Sequence, residues 1–140
     1  MNNAGVSRSG HDEAGTRGAD AQRLEVALAT IKDMFGVDYP IEPGPGEPSN
    51  ARDLNALMTT HAFTDSWARP GLDRRTKSIA TLAMMIAMGQ GKELRNHVSG
   101  GLMLGVTKEE IVELLIHALA YVGAPRTAAA WENVQKVFSR

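Results

Sequence analysis

Three side chains able to move a proton or hold an acid recur at four-residue spacing late in the chain: Glu113, His117 and Tyr121. On a helix of 3.6 residues per turn each step of four advances only ~40°, so they form one polar stripe. The rest of the segment from Ile111 to Val122 is apolar. A carboxylate, an imidazole and a phenol buried on such a helix need partners. They can find them in each other, across a subunit contact, or in a ligand. As metal ligands the group is poor: Glu113 and His117 supply at most two donors, and His61 and His97 stand at no matching spacing, so no metal site is expected.

A second candidate lies in Glu93-Leu-Arg-Asn-His97, where Glu93 is one helical turn before His97 and can orient or charge its ring. Gly100 and Gly101 follow. Inside a helix each glycine costs roughly 1 kcal/mol relative to alanine, which points to close approach of another helix or of a small ligand. The basic residues Arg74, Arg75 and Lys77 open one predicted helix and Arg126 another, at ends whose dipole prefers anions. They are either solvated or, with the free backbone N–H groups, arranged to hold a carboxylate. The chain has no cysteine, which removes disulfides, thiolate metal sites, cysteine nucleophiles and dithiol redox chemistry together.

The elements that must position these residues all read as helices. Leu24, Leu28, Ile31 and Phe35 follow a possible cap at Asp20 and stop at Gly36. Pro40, Pro43, Pro45 and Pro48, with Gly44 and Gly46, then predict an irregular connector. Asn50 or Ser49 can cap a second helix that carries Leu54, Leu57, Met58 and His61 and runs on to Trp67 before Arg69-Pro-Gly71 breaks it. Asp73 caps a third, apolar on all sides from Ile79 to Met88 except Thr81, which should be central. Lys92 to Leu104 forms a fourth. Thr107 and Glu110 have the spacing of a capping box ahead of the fifth, which should be nearly all buried, and Pro125 suits the first turn of the last. No window alternates at period two, so the fold class is all-α with about six helices.

At 140 residues the chain is one ordinary domain, and 43% hydrophobic against 22% charged residues is a globular composition. Residues 1–19 hold hardly any large apolar side chain and read as a flexible tail before a domain at 20–140. A formal charge of -1 supplies no field for nucleic acid or an acidic membrane. No apolar run suits a secretion signal or a membrane span, which makes the cytoplasm the expected location. Two helices without a polar face exceed what one small domain buries comfortably, so a homo-oligomer is expected.

The run Trp67-Ala-Arg-Pro-Gly-Leu-Asp-Arg-Arg-Thr-Lys-Ser78, then Gly91-Lys-Glu-Leu-Arg-Asn-His97, Gly105-Val-Thr-Lys-Glu-Glu-Ile111, and His117 with Tyr121-Val-Gly-Ala-Pro125 resembles the carboxymuconolactone decarboxylase family in order and spacing. The match extends from about Phe63 to the end, over half the chain. It implies an all-helical domain assembled into a ring-shaped trimer or hexamer. The wider family includes alkylhydroperoxidase D-like proteins, whose Cys-x-x-Cys would fall at Gln90 and Glu93. Without those thiols peroxide reduction is not available and the decarboxylase branch is left. Within it, Lys77 and Ser99 stand where arginine is common.

What the resemblance implies is loss of carbon dioxide from a small unsaturated lactone acid, 4-carboxymuconolactone to 3-oxoadipate enol-lactone, without a cofactor, because the lactone accepts the electrons. The protein then supplies cations for the carboxylates and an acid for carbon. His97 is the first candidate acid and His117 the second, with Glu93 beside His97. Arg74, Arg75, Arg95 and Arg126 are candidate carboxylate clamps, and Trp67, with Met85 and Leu104, a candidate apolar wall. Tyr121 joins the substrate-binding set. Two other readings stand beside this one: proton transfer or isomerisation of another oxo-acid on the same scaffold, and a non-catalytic oligomeric ligand-binding protein.

Overall fold

A computed structural model describes residues 11–140 of the chain, with side chains from Asp20 onward. The described residues form six α-helices and one π-helical segment, with no strand among them: α1 (His11–Phe35), α2 (Ala51–Thr59), the π segment (Thr60–Trp67), α3 (Arg74–Met88), α4 (Gly91–Met103), α5 (Lys108–Val122) and α6 (Ala124–Phe138). The all-α expectation holds. Helix α1 starts at His11 rather than near Asp20, so residues 11–19 of the expected tail are helical, and residues 1–10 of it lie outside the described residues.

Local chemistry sets the ends where the sequence places them. The Asp73 carboxylate accepts from the Thr76 backbone N–H at 2.9 Å and from the Thr76 hydroxyl at 2.6 Å, which starts α3 and holds the Asp73 pKa below its usual value. Gly89 ends α3 at φ +71°, a left-handed conformation that disfavours a side chain. Thr107 and Glu110 form the reciprocal capping box of α5 at 3.1 and 2.9 Å. The proline-rich stretch between α1 and α2 carries no regular element.

Helices α3, α4, α5 and α6 surround one core in which Leu82, Ile86, Leu94, Val98, Ile111 and Val134 are almost wholly buried. Helix α1 lies outside this unit, packed on the π segment and on α4 through Ala27, Ile31 and Met34. Two expectations about burial are corrected within the protomer. Met84 and Met88 on α3 are exposed, and on α5 so are Ile116 and Leu119 together with the stripe of Glu113, His117 and Tyr121. An apolar surface in the sequence marks what avoids water, and the protomer leaves part of that surface bare.

The paired glycines of α4 are explained by helix packing. A Cβ at Gly100 would stand 2.5 Å from the Phe35 ring and 3.3 Å from the Met34 carbonyl oxygen, and one at Gly101 would stand 2.9 Å from the Ser78 hydroxyl. Gly100→Ala must therefore displace Phe35 from α4, an overpacking that costs about 1–3 kcal/mol. Gly71→Ala, where a Cβ meets nothing within 4 Å, should stay within about 0.5 kcal/mol of the parent. Urea denaturation of both variants checks this, and equal midpoints would contradict the packing described.

Candidate active site

His97 projects from α4 toward α1 and the π segment, into an aromatic enclosure. Its imidazole lies nearly parallel to the Trp67 indole, with ring centroids 6.0 Å apart and planes inclined by 10°. Phe35 meets it edge-on at 5.5 Å, and Phe63 in turn meets Phe35 at 6.2 Å. Gly100 admits the Phe35 ring, so the glycine read as a close-approach signal serves the histidine one turn before it.

Among the described residues neither His97 ring nitrogen has a hydrogen-bond partner, yet no buried side-chain nitrogen or oxygen is left without one. The ring nitrogens therefore open onto accessible space, while Trp67 lies across one ring face and Phe35 packs edge-on. Burial pushes the His97 pKa below the ordinary 6.5, and the Glu93 carboxylate one turn away draws it partly back. The imidazole is thus neutral near pH 7 and ready to gain a proton when an anion arrives.

Trp67 is itself buried and sits at the last position of the π segment. The wider turn is visible at its end, where the Ala68 N–H donates to the Phe63 carbonyl five residues back at 2.8 Å. No sequence feature marks the change from α to π winding.

The arginines separate into two groups. Arg74 pairs with Asp33 at 3.2 Å, and Arg75 bonds Glu110 and the Gly105 carbonyl. With the Thr107 N–H first and Arg75 second, these bonds hold the Glu110 pKa below its usual value. Both guanidiniums, expected as candidate clamps, are already engaged within the fold. Arg126 lines a different place, a cleft of about 290 Å³ between the end of α3, the start of α4 and the start of α6, and Arg95 adjoins it through Asn133. Met85, Gly89, Gln90, Leu94, Arg126 and Asn133 are among its lining residues. Arg95 bonds the Asn133 side-chain oxygen and reaches the Gly91 carbonyl at 3.3 Å. Arg126 lies over Gly89, whose missing Cβ leaves room for its guanidinium, and it has no carboxylate partner among the described residues.

His97, Trp67 and Glu93 are therefore brought together, and so are Arg95 and Arg126, on different faces of α4. The expectation that imidazole and guanidinium converge in one crevice is not met within the protomer. His117 and Tyr121 contact each other, rings 5.2 Å apart, on the exposed side of α5. Met85, expected in a wall with Trp67, lines the cleft instead. Among the described residues no three His, Asp or Glu side chains cluster as metal ligands, and no helix is long and apolar enough to cross a membrane. Phe35 and Phe63, which complete the enclosure, carry no spacing signal that links them to His97.

Similarity to known proteins agrees with this arrangement of helices. The model of the carboxymuconolactone decarboxylase family matches residues 52–136. A 4-carboxymuconolactone decarboxylase of Acinetobacter baylyi is 38% identical over 119 residues, covering 85% of this chain and 89% of that protein. A nitrosuccinic acid decarboxylase of Metarhizium robertsii is 34% identical over 116 residues, covering 83% of this chain and 81% of that protein. The chain belongs to the carboxymuconolactone decarboxylase family, whose match runs from the first turn of α2 to the last turn of α6.

Proposed function

We propose that the protein is a cofactor-independent decarboxylase of a small anionic acid, converting 4-carboxymuconolactone to 3-oxoadipate enol-lactone in aromatic compound degradation. The observation that carries this reading is His97: a desolvated, neutral imidazole with Trp67 across one face, Phe35 edge-on beside it, and nitrogens that stay open.

The names of the two relatives describe acids with one feature in common. In the lactone the departing carboxylate is on a carbon conjugated through a double bond to the lactone carbonyl. In nitrosuccinic acid it is on the carbon that bears the nitro group. In each case the C–C bond to the carboxylate breaks, carbon dioxide leaves, and the electron pair moves onto oxygen, of a dienolate or of a nitronate. A proton then closes the reaction on carbon. The substrate is its own electron sink, so the chemistry calls on no cofactor.

His97 gives that proton. The approach of a dianionic acid raises the pKa of the neutral ring, the imidazole gains a proton from water, and the proton passes to the dienolate. Glu93 favours the charged ring. Trp67 excludes water on one side, where the charge-dispersed transition state is better accommodated than the localised carboxylate. Arg95 and Arg126 are the clamps for carboxylates. Because they lie across α4 from His97, we place the complete site at a subunit contact in a ring-shaped trimer or hexamer. The exposed Met84, Met88, Ile116 and Leu119 support such an assembly, and His117 and Tyr121 are placed in the same contact. A net charge of -1 and the absence of a membrane-crossing helix among the described residues support a cytoplasmic enzyme without nucleic-acid or membrane partners.

His97→Asn should lower kcat on the carboxylated lactone by about 10²- to 10⁴-fold, the usual worth of positioned proton transfer, with the helical circular dichroism unchanged. Full turnover by that variant, followed by ultraviolet absorbance, would dispose of the role. Mixing His97→Asn with Arg126→Ala under conditions of subunit exchange should restore turnover that neither variant has alone. A mixture that stays inactive although mass spectrometry shows mixed oligomers would contradict a site shared between subunits.

A further inference from the structure

The end of the π segment is held by one side chain. Lys77, half-buried in the first turns of α3, donates from Nζ to the backbone carbonyls of Ser66 at 3.0 Å, of Trp67 at 3.1 Å, and of Arg69. An ammonium has three N–H donors, and all three are used here. They supply the Trp67 and Arg69 carbonyls with a donor and add to the Arg69 N–H at the Ser66 carbonyl, at the end where the helix dipole favours a cation. Lys77 has no carboxylate partner among the described residues, so its charge is committed to this backbone.

We propose that Lys77 is a positioning residue for the decarboxylation: by fixing the last turn of the π segment it fixes the Trp67 indole, and through the stack it fixes the imidazole of His97. The inference rests on the reading of His97 as proton donor. It follows from what else is available to orient that ring. No hydrogen bond within the described residues does so, and rotation about the bond to an imidazole is intrinsically broad. The near-parallel indole and the Phe35 edge are the contacts that choose its angle. The π winding that ends at Trp67 is weak on its own, since such segments persist only where their surroundings hold them. Without the ammonium the Trp67 and Arg69 carbonyls lose their donor and the Ser66 carbonyl keeps only the Arg69 N–H, the last turn loosens, and the indole no longer sets the ring.

The test uses the full chain and two readouts, one of which needs no substrate. Lys77→Met preserves the length of the stem and removes the charge, whereas Lys77→Arg keeps donors for the carbonyls. The first should lower kcat by about 10- to 100-fold with KM little changed, the scale expected for a misplaced catalytic group, and the second should restore it. In a Trp131→Phe background Trp67 is the only indole, and an imidazolium stacked on it quenches its emission. Between pH 8 and 5 that emission should follow the His97 titration in the parent and in Lys77→Arg, and should lose this dependence in Lys77→Met. The groups around the ring are Glu93 on α4, Phe35 on α1, and Phe63 and Trp67 on the π segment, so Glu93 is the ionisable neighbour.

A Lys77→Met protein with parental kcat, or one with lowered kcat and an undiminished pH-dependent quench, would overturn the proposal. Should Lys77→Met not fold, Lys77→Gln is read by the same two measurements, and a parental response there has the same force. The emission arm remains decisive if neither acid is turned over, which separates failure of the positioning role from failure of the decarboxylase reading.

Discussion

A neutral imidazole that is largely withdrawn from water, yet has no hydrogen-bond partner within the described protomer, is the constraint around which the rest of this structure is arranged. Such a group is ordinarily oriented by a carboxylate or a backbone carbonyl. Here the orientation is given by aromatic surface: Trp67 across one face and Phe35 at the edge. Aromatic cover on one face and at the edge withdraws the ring from water and disfavours its charged form, while the nitrogens stay open.

Each neighbouring element contributes to that arrangement. Asp73 starts α3 by capping Thr76, which places Lys77 one residue further on against the end of the π segment. Gly100 lets α1 approach α4 closely enough for Phe35 to reach the ring. The Arg75–Glu110 pair joins the start of α3 to the start of α5, and both partners remain partly exposed, so its value is in register more than in energy. The helices of the core thus hold α3 and α4 in a fixed relation, and the face of α4 that carries His97 is built on the outside of that frame.

Much of this was legible in the sequence because it depends on local chemistry. Asp73 followed by Thr76, Thr107 followed by Glu110, Gly89, and Gly123 with Pro125 each specify a helix end through bonds within four residues. The family likeness likewise rested on short runs that the fold keeps in order. What could not be read depends on distance. Arg75 was a free cation in the sequence and meets Glu110, 35 residues away. The π winding differs from α by one residue per turn and has no composition of its own, so the stack of Trp67 on His97 had no signature. The stripe of Glu113, His117 and Tyr121 lies on a helix whose apolar pattern predicts burial, and that pattern does not distinguish a protomer core from an apolar face left at the surface. The helical residues 11–19 carry few apolar side chains, and nothing in their pattern separated them from a tail.

In the proposed mechanism His97 is held neutral by burial and is charged by the arrival of an anionic acid. Its most direct test is a nuclear magnetic resonance titration of the assigned His97 ring, in the free protein and with an unreactive dicarboxylate such as succinate. A midpoint below 6.5 is expected in the free protein, rising when the diacid binds. A midpoint at or above 6.5 without ligand, unmoved by the diacid, would contradict it.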